Sequence, residues 1–270
     1  MKNVLVSFAG GVAMVLCSNA SADVNLAYSG SNLGSTTSTM RNDTSSYQNV
    51  WTGASSLSEN GGAAFMAYCI DPRTSAGFPN SYSTTNLDSF FGVNASSHAE
   101  YLTSGYGQQL QRSGYSTDMA GKNTQANALV VRNNLDELFS YAYADSLLSA
   151  TNAAAFGLAV WEIIMQDGAA FSRTTGEIRT RTTDTPAGVI TKLTSYLGAL
   201  SASSLQEQAT WASAASGPRK SYTYTVYFDT TDPFKQNFIR ATENHVPVPG
   251  SLALAGLALA GVVVVRRRKA

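Results

Sequence analysis

The sequence is poor in charged residues and in the residues that most often carry out chemistry. Only 13% of its 270 residues are charged, and it contains two cysteines and two histidines. This charge content is low for a cytosolic globular protein, and Ser, Thr, Asn, Gly and Ala take its place, as is common in exported proteins. An aromatic content of 10% argues against disorder, and the length allows a substantial core.

The sequence also lacks the spacing motifs of common enzyme and metal sites. It has no HExxH, P-loop, GxSxG or multi-cysteine metal motif. His98 lies in a polar stretch and His245 in an expected linker, so neither is assigned to a catalytic or metal site. We therefore expect no enzymatic activity, no catalytic residue, no cofactor and no metal. An open alternative is a carboxylate pair acting on a polysaccharide, drawn from Asp71, Glu162 and Asp167.

Residues 1–22 have the order of a secretory signal peptide. Lys2 precedes an apolar stretch over residues 4–16, and Ala20-x-Ala22 supplies the small residues of a cleavage site. The apolar stretch is too short to favour a permanent membrane span. We predict cleavage after Ala22, with an uncleaved anchor or a lipoprotein at Cys17 as alternatives.

Removal of this signal leaves Cys69 as the only cysteine of the mature chain. An intramolecular disulfide is then excluded. Three states remain open for Cys69: an inert buried thiol, an intermolecular bridge or a reactive group.

Positive charge is concentrated at the end of the chain. Of the 18 basic residues, Lys2 lies in the signal and four lie in the last five positions, which leaves 13 in the intervening domain against 18 acidic residues. Because no basic patch remains outside the tail, we do not expect nucleic acid as a partner.

The C-terminus consists of three successive segments. A Pro-x-Pro turn comes first, at Val246, Pro247, Val248 and Pro249. Residues 251–265 are uncharged and apolar, and we predict that they form a transmembrane helix. A basic cluster follows at Arg266, Arg267, Arg268 and Lys269. Basic residues stay on the cytoplasmic side, so residues 266–270 are predicted to be a cytoplasmic tail and the domain to lie outside.

This three-part ending resembles the PEP-CTERM sorting signal, although Val248 stands where the usual motif has Glu. The resemblance implies export through the inner membrane of a Gram-negative, exopolysaccharide-producing bacterium. It also implies a transient membrane anchor, processing by an exosortase, and a final place at the cell surface or in the extracellular matrix. The expected partners are thus exosortase and the membrane, with exopolysaccharide as a further candidate.

The domain over residues 23–240 has alternating and helical hydrophobic patterns in succession. We predict strands at residues 24–28, 50–54, 63–71 and 222–230, and helices at residues 126–145, 151–168 and 186–200. Residues 32–47 are predicted to be a loop and residues 82–125 a surface excursion, and a linker over residues 241–250 holds the Pro-x-Pro. The order predicts an α+β fold: a sheet or sandwich-like portion, with an inserted helical portion around the buried central helix at 151–168, plus the C-terminal transmembrane helix.

Two segments of this domain resemble the signature segments of bacterial thioester domains. They are Tyr68-Cys69-Ile70-Asp71 and the helix segment Phe156-Gly157-Leu158-Ala159-Val160-Trp161-Glu162. The resemblance implies a surface adhesin in which a Cys thiol and a Gln amide condense, with loss of ammonia, into a thioester that host amines attack. Here Gly157 stands where the motif has Gln, so we expect a degenerate domain without the thioester. We interpret Gly157 as allowing close packing against the Cys69 strand.

The sequence therefore predicts an exported, non-enzymatic surface or matrix protein with a structural or binding role. Two alternatives remain: a thioester-type covalent adhesin that joins Cys69 to another glutamine, such as Gln125, and a polysaccharide-active enzyme. Trp51, Trp161 and Trp211 are candidates for stacking on sugars, although Trp161 is expected in the core.

Overall fold

The computed structural model describes residues 23–41, 46–112, 121–165, 171–200, 220–229 and 235–244. The predicted signal peptide, the Pro-x-Pro motif, the predicted transmembrane helix at 251–265 and the basic tail all lie outside these ranges. Among the helices inside them, none is both long and apolar enough to cross a membrane.

The described ranges contain eight strands and six helices. The strands are β1 (Asp23–Tyr28), β2 (Leu33–Arg41), β3 (Gln48–Glu59), β4 (Phe65–Cys69), β5 (Asn80–Thr85), β6 (Ile178–Thr180), β7 (Tyr222–Phe228) and β8 (Phe238–Glu243). The helices are α1 (Leu87–Phe91), α2 (His98–Tyr101), α3 (Gly105–Gln111), α4 (Gln125–Ser146), α5 (Ala150–Ile164) and α6 (Ala187–Leu200).

Six of the strands form a closed antiparallel sheet, which corrects the predicted fold class. Their order is β1-β5-β7-β8-β4-β3, and β3 pairs back onto β1. Strand β1 closes the ring because it uses both edges, pairing with β5 through residues 23–26 and with β3 through residues 26–28. The prediction of a sandwich-like sheet was wrong because alternation along a strand is the same in open, layered and closed sheets.

Strand β3 is long enough to belong to two parts of the sheet. Its second half pairs with β1 and β4 in the ring, whereas its first half pairs with β2, which carries β6 on its far edge. The segment predicted to be a loop is thus mostly strand. Its Thr-rich sequence suits a β conformation, and Thr37 and Thr39 are buried.

The central helix α5 packs on β2 and β3 and lies between α4 and α6. Every residue from Ala153 to Ile164 is buried, as a helix that is apolar on nearly all faces requires. The helix begins with Ser149 as its N-cap, whose hydroxyl accepts from the Asn152 N–H at 3.1 Å. This N-cap therefore lies two residues before position 151, where the helix was predicted to start.

Two other segments differ from their predicted structure. Residues 82–125 contribute β5 and the short helices α1 to α3, and their aromatic residues Phe90, Phe91, Tyr101 and Tyr106 are fully buried. Helices of four to seven residues are too short to display helical periodicity. No strand was predicted after residue 230 and residues 241–250 were predicted to be a linker, but Phe238–Glu243 forms β8 between β4 and β7.

Candidate functional site

Cys69 and Gly157 line the same small cavity, here called the Cys69 cavity. Its volume is about 50 Å³. Segments far apart in sequence supply its walls: β1, β3, the end of β4, α5 and the residues before β8. The principal wall residues are Tyr28, Trp51, Gly53, Cys69, Trp161 and Gln236, in addition to Gly157. The fold therefore brings together both positions of the thioester-like segments.

Close contact between two glycines sets the depth of the cavity. A Cβ built on Gly157 would lie 3.1 Å from the backbone nitrogen of Gly53, which is tighter than ordinary van der Waals contact. Gly53 has φ +146°, in a region that favours glycine. Gly157 thus lets α5 approach β3, the neighbour of the Cys69 strand, rather than the Cys69 strand itself.

Trp161 lines the cavity and carries a buried indole N–H. Trp161 is 6% exposed, and its Nε1 has no hydrogen-bond partner in the part of the chain that the structure describes. Indole Nε1–H is a donor only, and a buried donor left unpaired costs about 1–3 kcal/mol. This group is available to an acceptor that enters the cavity.

Two aromatic side chains flank the mouth of the cavity and remain accessible. Tyr28 is 53% exposed and Trp51 is 43% exposed. Trp51 covers Gly34, since a Cβ on Gly34 would lie 2.6 Å from the indole ring. Tyr28 packs edge-on against Phe78, with the ring centroids 4.5 Å apart. The pKa of the Tyr28 hydroxyl is raised above its usual value, mainly by partial burial and to a smaller extent by the nearby Cys69.

A buried ion pair holds the chain immediately beyond Cys69. The Asp71 N–H donates to Cys69 Sγ at 3.3 Å. Arg112 Nη1 donates to Asp71 Oδ2 at 2.8 Å, and its Nη2 donates to the carbonyl oxygen of Asp229, also at 2.8 Å. Because Asp71 is fully buried in this pair, its carboxylate has a structural role.

Two buried amides extend this network across the ends of the strands. Asn237 Nδ2 donates to Gln109 Oε1 at 2.9 Å, and Gln109 Nε2 donates to the Ile70 carbonyl at 3.0 Å. The Asn237 Oδ1 accepts from the Asp229 N–H at 3.1 Å. The strands that carry Cys69 and Gln236 toward the cavity are thereby joined to α3.

The carboxylates considered for catalysis do not meet at the cavity. Glu162 Oε1 accepts from the Ser172 N–H at 3.0 Å, and neither Glu162 nor Asp71 lines the cavity. Asp167 lies outside the described residues. Within the described ranges, no group of three His, Cys, Asp or Glu residues is arranged to hold a metal ion.

The remaining candidates from the sequence lie elsewhere. Gln125 begins α4, and its Nε2 donates to the carbonyls of Val93 and Ala95, both at 2.8 Å. His98 begins α2 and stacks on Tyr101, with ring centroids 5.8 Å apart. His245 and Trp211 fall outside the described residues.

Sequence patterns missed several wall residues, among them Tyr28 and Gln236. Tyr28 was predicted only as the end of a strand, and Gln236 follows the last predicted strand. No local signal distinguishes either residue, because each acquires its place through the closure of the sheet.

Comparison with protein-family models matched residues 245–269 to the PEP-CTERM protein-sorting motif. No curated protein and no solved structure matched the chain. The thioester-domain resemblance thus has no support from these comparisons. The matched segment includes the Pro-x-Pro at Val246–Pro249 and the basic cluster at Arg266–Lys269, so the predicted sorting signal is confirmed. It supports an exported, exosortase-sorted surface protein of the Gram-negative type.

Proposed function

We propose that this exported protein binds an extracellular polysaccharide without cleaving it, as a component of the cell surface or the surrounding matrix. One observation carries the proposal. Among the described residues, the large hydrophobic side chains that are exposed include two aromatic ones, Tyr28 and Trp51, and both flank the Cys69 cavity. Aromatic rings beside a cavity with a few polar groups are a common form of ligand site.

The chemistry of the two rings suits a sugar. A pyranose presents a face of C–H groups that can lie on an aromatic ring, and its hydroxyl groups can bond to polar side chains at the ring's edge. Thr52, Ser55 and Gln236 supply such polar side chains in the cavity wall. Pairs of aromatic side chains contribute about 0.5–1.5 kcal/mol beyond the burial of area, and we expect a gain of similar size for a sugar face on an aromatic ring. A single site would be weak, but many copies held along one polymer would gain strongly from multivalency.

The environment of the nearby carboxylates favours binding over hydrolysis. Glycoside hydrolysis commonly uses two carboxyl groups that flank the scissile bond. Asp71 is paired with Arg112, and Glu162 accepts a backbone hydrogen bond away from the cavity. The cavity beside the exposed rings is lined by hydroxyl, amide, thiol and aromatic groups.

The test uses the exported protein purified from the producing culture and the extracellular polysaccharide extracted from that culture. We expect the protein to be retarded in a gel that contains the polysaccharide, and Trp51→Ala and Tyr28→Ala to weaken this retardation several-fold. Leu148→Ala is the matched control, because Leu148 is 74% exposed and lies away from the cavity. Absence of retardation, or equal retardation of Trp51→Ala and the native protein, would refute the proposal. A decrease in polymer size during incubation would refute non-enzymatic binding.

Gln236 favours a second candidate function, a covalent adhesin. Gln236 lines the cavity together with Cys69. A glutamine is therefore near the thiol, even though Gly157 stands where the thioester motif has its glutamine. In that case Cys69 Sγ would attack the Gln236 amide carbon, the C–N bond would break, and ammonia would leave. Intact mass separates the two candidates. The binding protein has the full mass of its processed chain and no methylamine adduct, whereas the adhesin is lighter by one ammonia and gains methylamine.

A further inference from the structure

The size of the Cys69 cavity restricts what can enter it. A volume of about 50 Å³ corresponds to roughly four water-sized positions, since one such position needs about 10–15 Å³. A pyranose ring has too many heavy atoms for this space. Only a substituent of the sugar can enter the cavity, while its ring remains outside with Tyr28 and Trp51.

The polarity of the cavity restricts the substituent further. Among the described residues, no acceptor meets the buried Trp161 Nε1–H, so this donor can bind an acceptor oxygen. The cavity wall also includes Gly53 and Gly157, which have no side chains, and Cys69, which behaves as a small apolar residue. An entering group that matches both features has a carbonyl oxygen and a small apolar end.

We propose that the cavity receives the acetamido group of a 2-acetamido sugar. The four heavy atoms of this group match the available volume. Its carbonyl oxygen accepts from Trp161 Nε1–H, its methyl group packs against Gly53, Gly157 and Cys69, and the sugar ring lies between the exposed aromatic side chains. This inference rests on the proposed polysaccharide binding and names the sugar class that the same site selects.

The test compares two trisaccharides that share a β-1,4 backbone: triacetylchitotriose, which carries acetamido groups, and cellotriose, which carries hydroxyl groups in their place. Each is titrated calorimetrically into the exported protein. We expect triacetylchitotriose to bind at least about 10-fold more tightly, because it satisfies a buried donor that cellotriose leaves unpaired. Equal affinity for the two trisaccharides would overturn the inference.

Two variants examine the cavity itself. Trp161→Phe retains an aromatic ring without the N–H, and we expect it to reduce the preference for triacetylchitotriose by about 3- to 10-fold. Gly157→Ala adds a methyl group 3.1 Å from the Gly53 backbone nitrogen, at the cavity wall, and should bring the two affinities within about 3-fold. Gly198→Ala is the matched control, because a Cβ at this position in α6 meets nothing within 4 Å, and it should retain the native preference.

The outcomes separate this inference from the proposed function. An unchanged preference in a folded Trp161→Phe variant would overturn the inference and leave an ordered water as the partner of the indole. If neither trisaccharide binds but the culture's polysaccharide still does, the acetamido inference fails and polysaccharide binding stands. If Trp51→Ala also leaves binding to that polysaccharide unchanged, the proposed function fails as well. Thermal unfolding identifies any variant that is misfolded. If one of Trp161→Phe and Gly157→Ala is misfolded, the binding preference of the other one tests the inference.

Discussion

Removing the guanidinium of Arg112 should destabilise the protein far more than removing a surface charge. The Arg112 side chain is 7% exposed and that of Asp71 is fully buried, with 2.8 Å between their bonded atoms. Arg112→Met retains much of the side-chain length but removes the guanidinium that pairs with the buried Asp71 carboxylate. It also removes the bond to the Asp229 carbonyl. Deleting one member of a buried ion pair costs about 3–5 kcal/mol. We therefore expect Arg112→Met to lower the free energy of unfolding by this amount.

Urea unfolding followed by circular dichroism measures the effect. With an m value of about 2 kcal/mol per molar, the midpoint should fall by about 1.5–2.5 M urea. The control is Arg181→Met, because the Arg181–Asp184 pair is 2.9 Å long but its side chains are 43% and 57% exposed. An exposed pair contributes about 0–1 kcal/mol, which shifts the midpoint by at most about 0.5 M. If the two variants lose equal stability, the structural role assigned to the Asp71–Arg112 pair is wrong.

Three further predictions concern other parts of the chain. Burial raises the pKa of three tyrosines from 10.0 to about 12: Tyr143, Tyr222 and Tyr227. Their neutral forms stabilise the fold fully below about pH 10, and this contribution is lost as pH rises through about 12. A smaller tyrosinate absorbance near pH 10 in the Tyr143→Phe, Tyr222→Phe or Tyr227→Phe variant than in the native protein would contradict this. Tyr196→Phe removes a 2.6 Å hydrogen bond to the buried carboxylate of Asp145 and should cost about 1.5–3 kcal/mol in urea unfolding. Tyr141→Phe removes a longer hydrogen bond of 3.5 Å to the Tyr196 carbonyl and should lower the free energy of unfolding by less than about 1 kcal/mol. Equal losses of stability in the two variants would contradict the stronger role given to the Tyr196–Asp145 bond. Replacing Pro247 and Pro249 of the matched sorting motif by alanine should leave unprocessed protein of higher mass in the membrane fraction, and unchanged processing would argue against exosortase recognition there.

Elements with strong local periodicity could be predicted from the sequence. Helices α4, α5 and α6 and strands β1, β3, β4 and β7 lie close to their predicted positions. Each shows either helical spacing or alternation over several residues. Strands β2, β5, β6 and β8 were missed because they are short or rich in polar residues, and their β conformation depends on pairing with neighbouring strands. The closed sheet was missed for the same reason, since closure depends on the β1–β3 pairing.

The candidate site was only partly accessible to sequence reasoning. Cys69 and Gly157 were selected together because short segments around them resembled known motifs, and the fold places both at one cavity. The role of Trp51 had remained undecided, because exposure cannot be inferred from a single aromatic residue. The sequence also did not predict that the Nε1 of Trp161 has no hydrogen-bond partner among the described residues. Trp161 was expected in the core, where it is found, but sequence does not indicate whether a buried donor has an acceptor.

The sequence by itself determined how the protein is delivered. The sorting motif at residues 245–269 is recognisable because its information lies in the order of a few adjacent segments. Tertiary structure alone decided which residues of the exported domain meet at the Cys69 cavity. Residues 28, 51, 69, 157 and 236 meet at one cavity because β1 closes the sheet onto β3 and because Gly157 lets α5 approach Gly53. Contacts between residues so distant along the chain depend on strand pairing and helix packing, which the local pattern of the sequence does not specify.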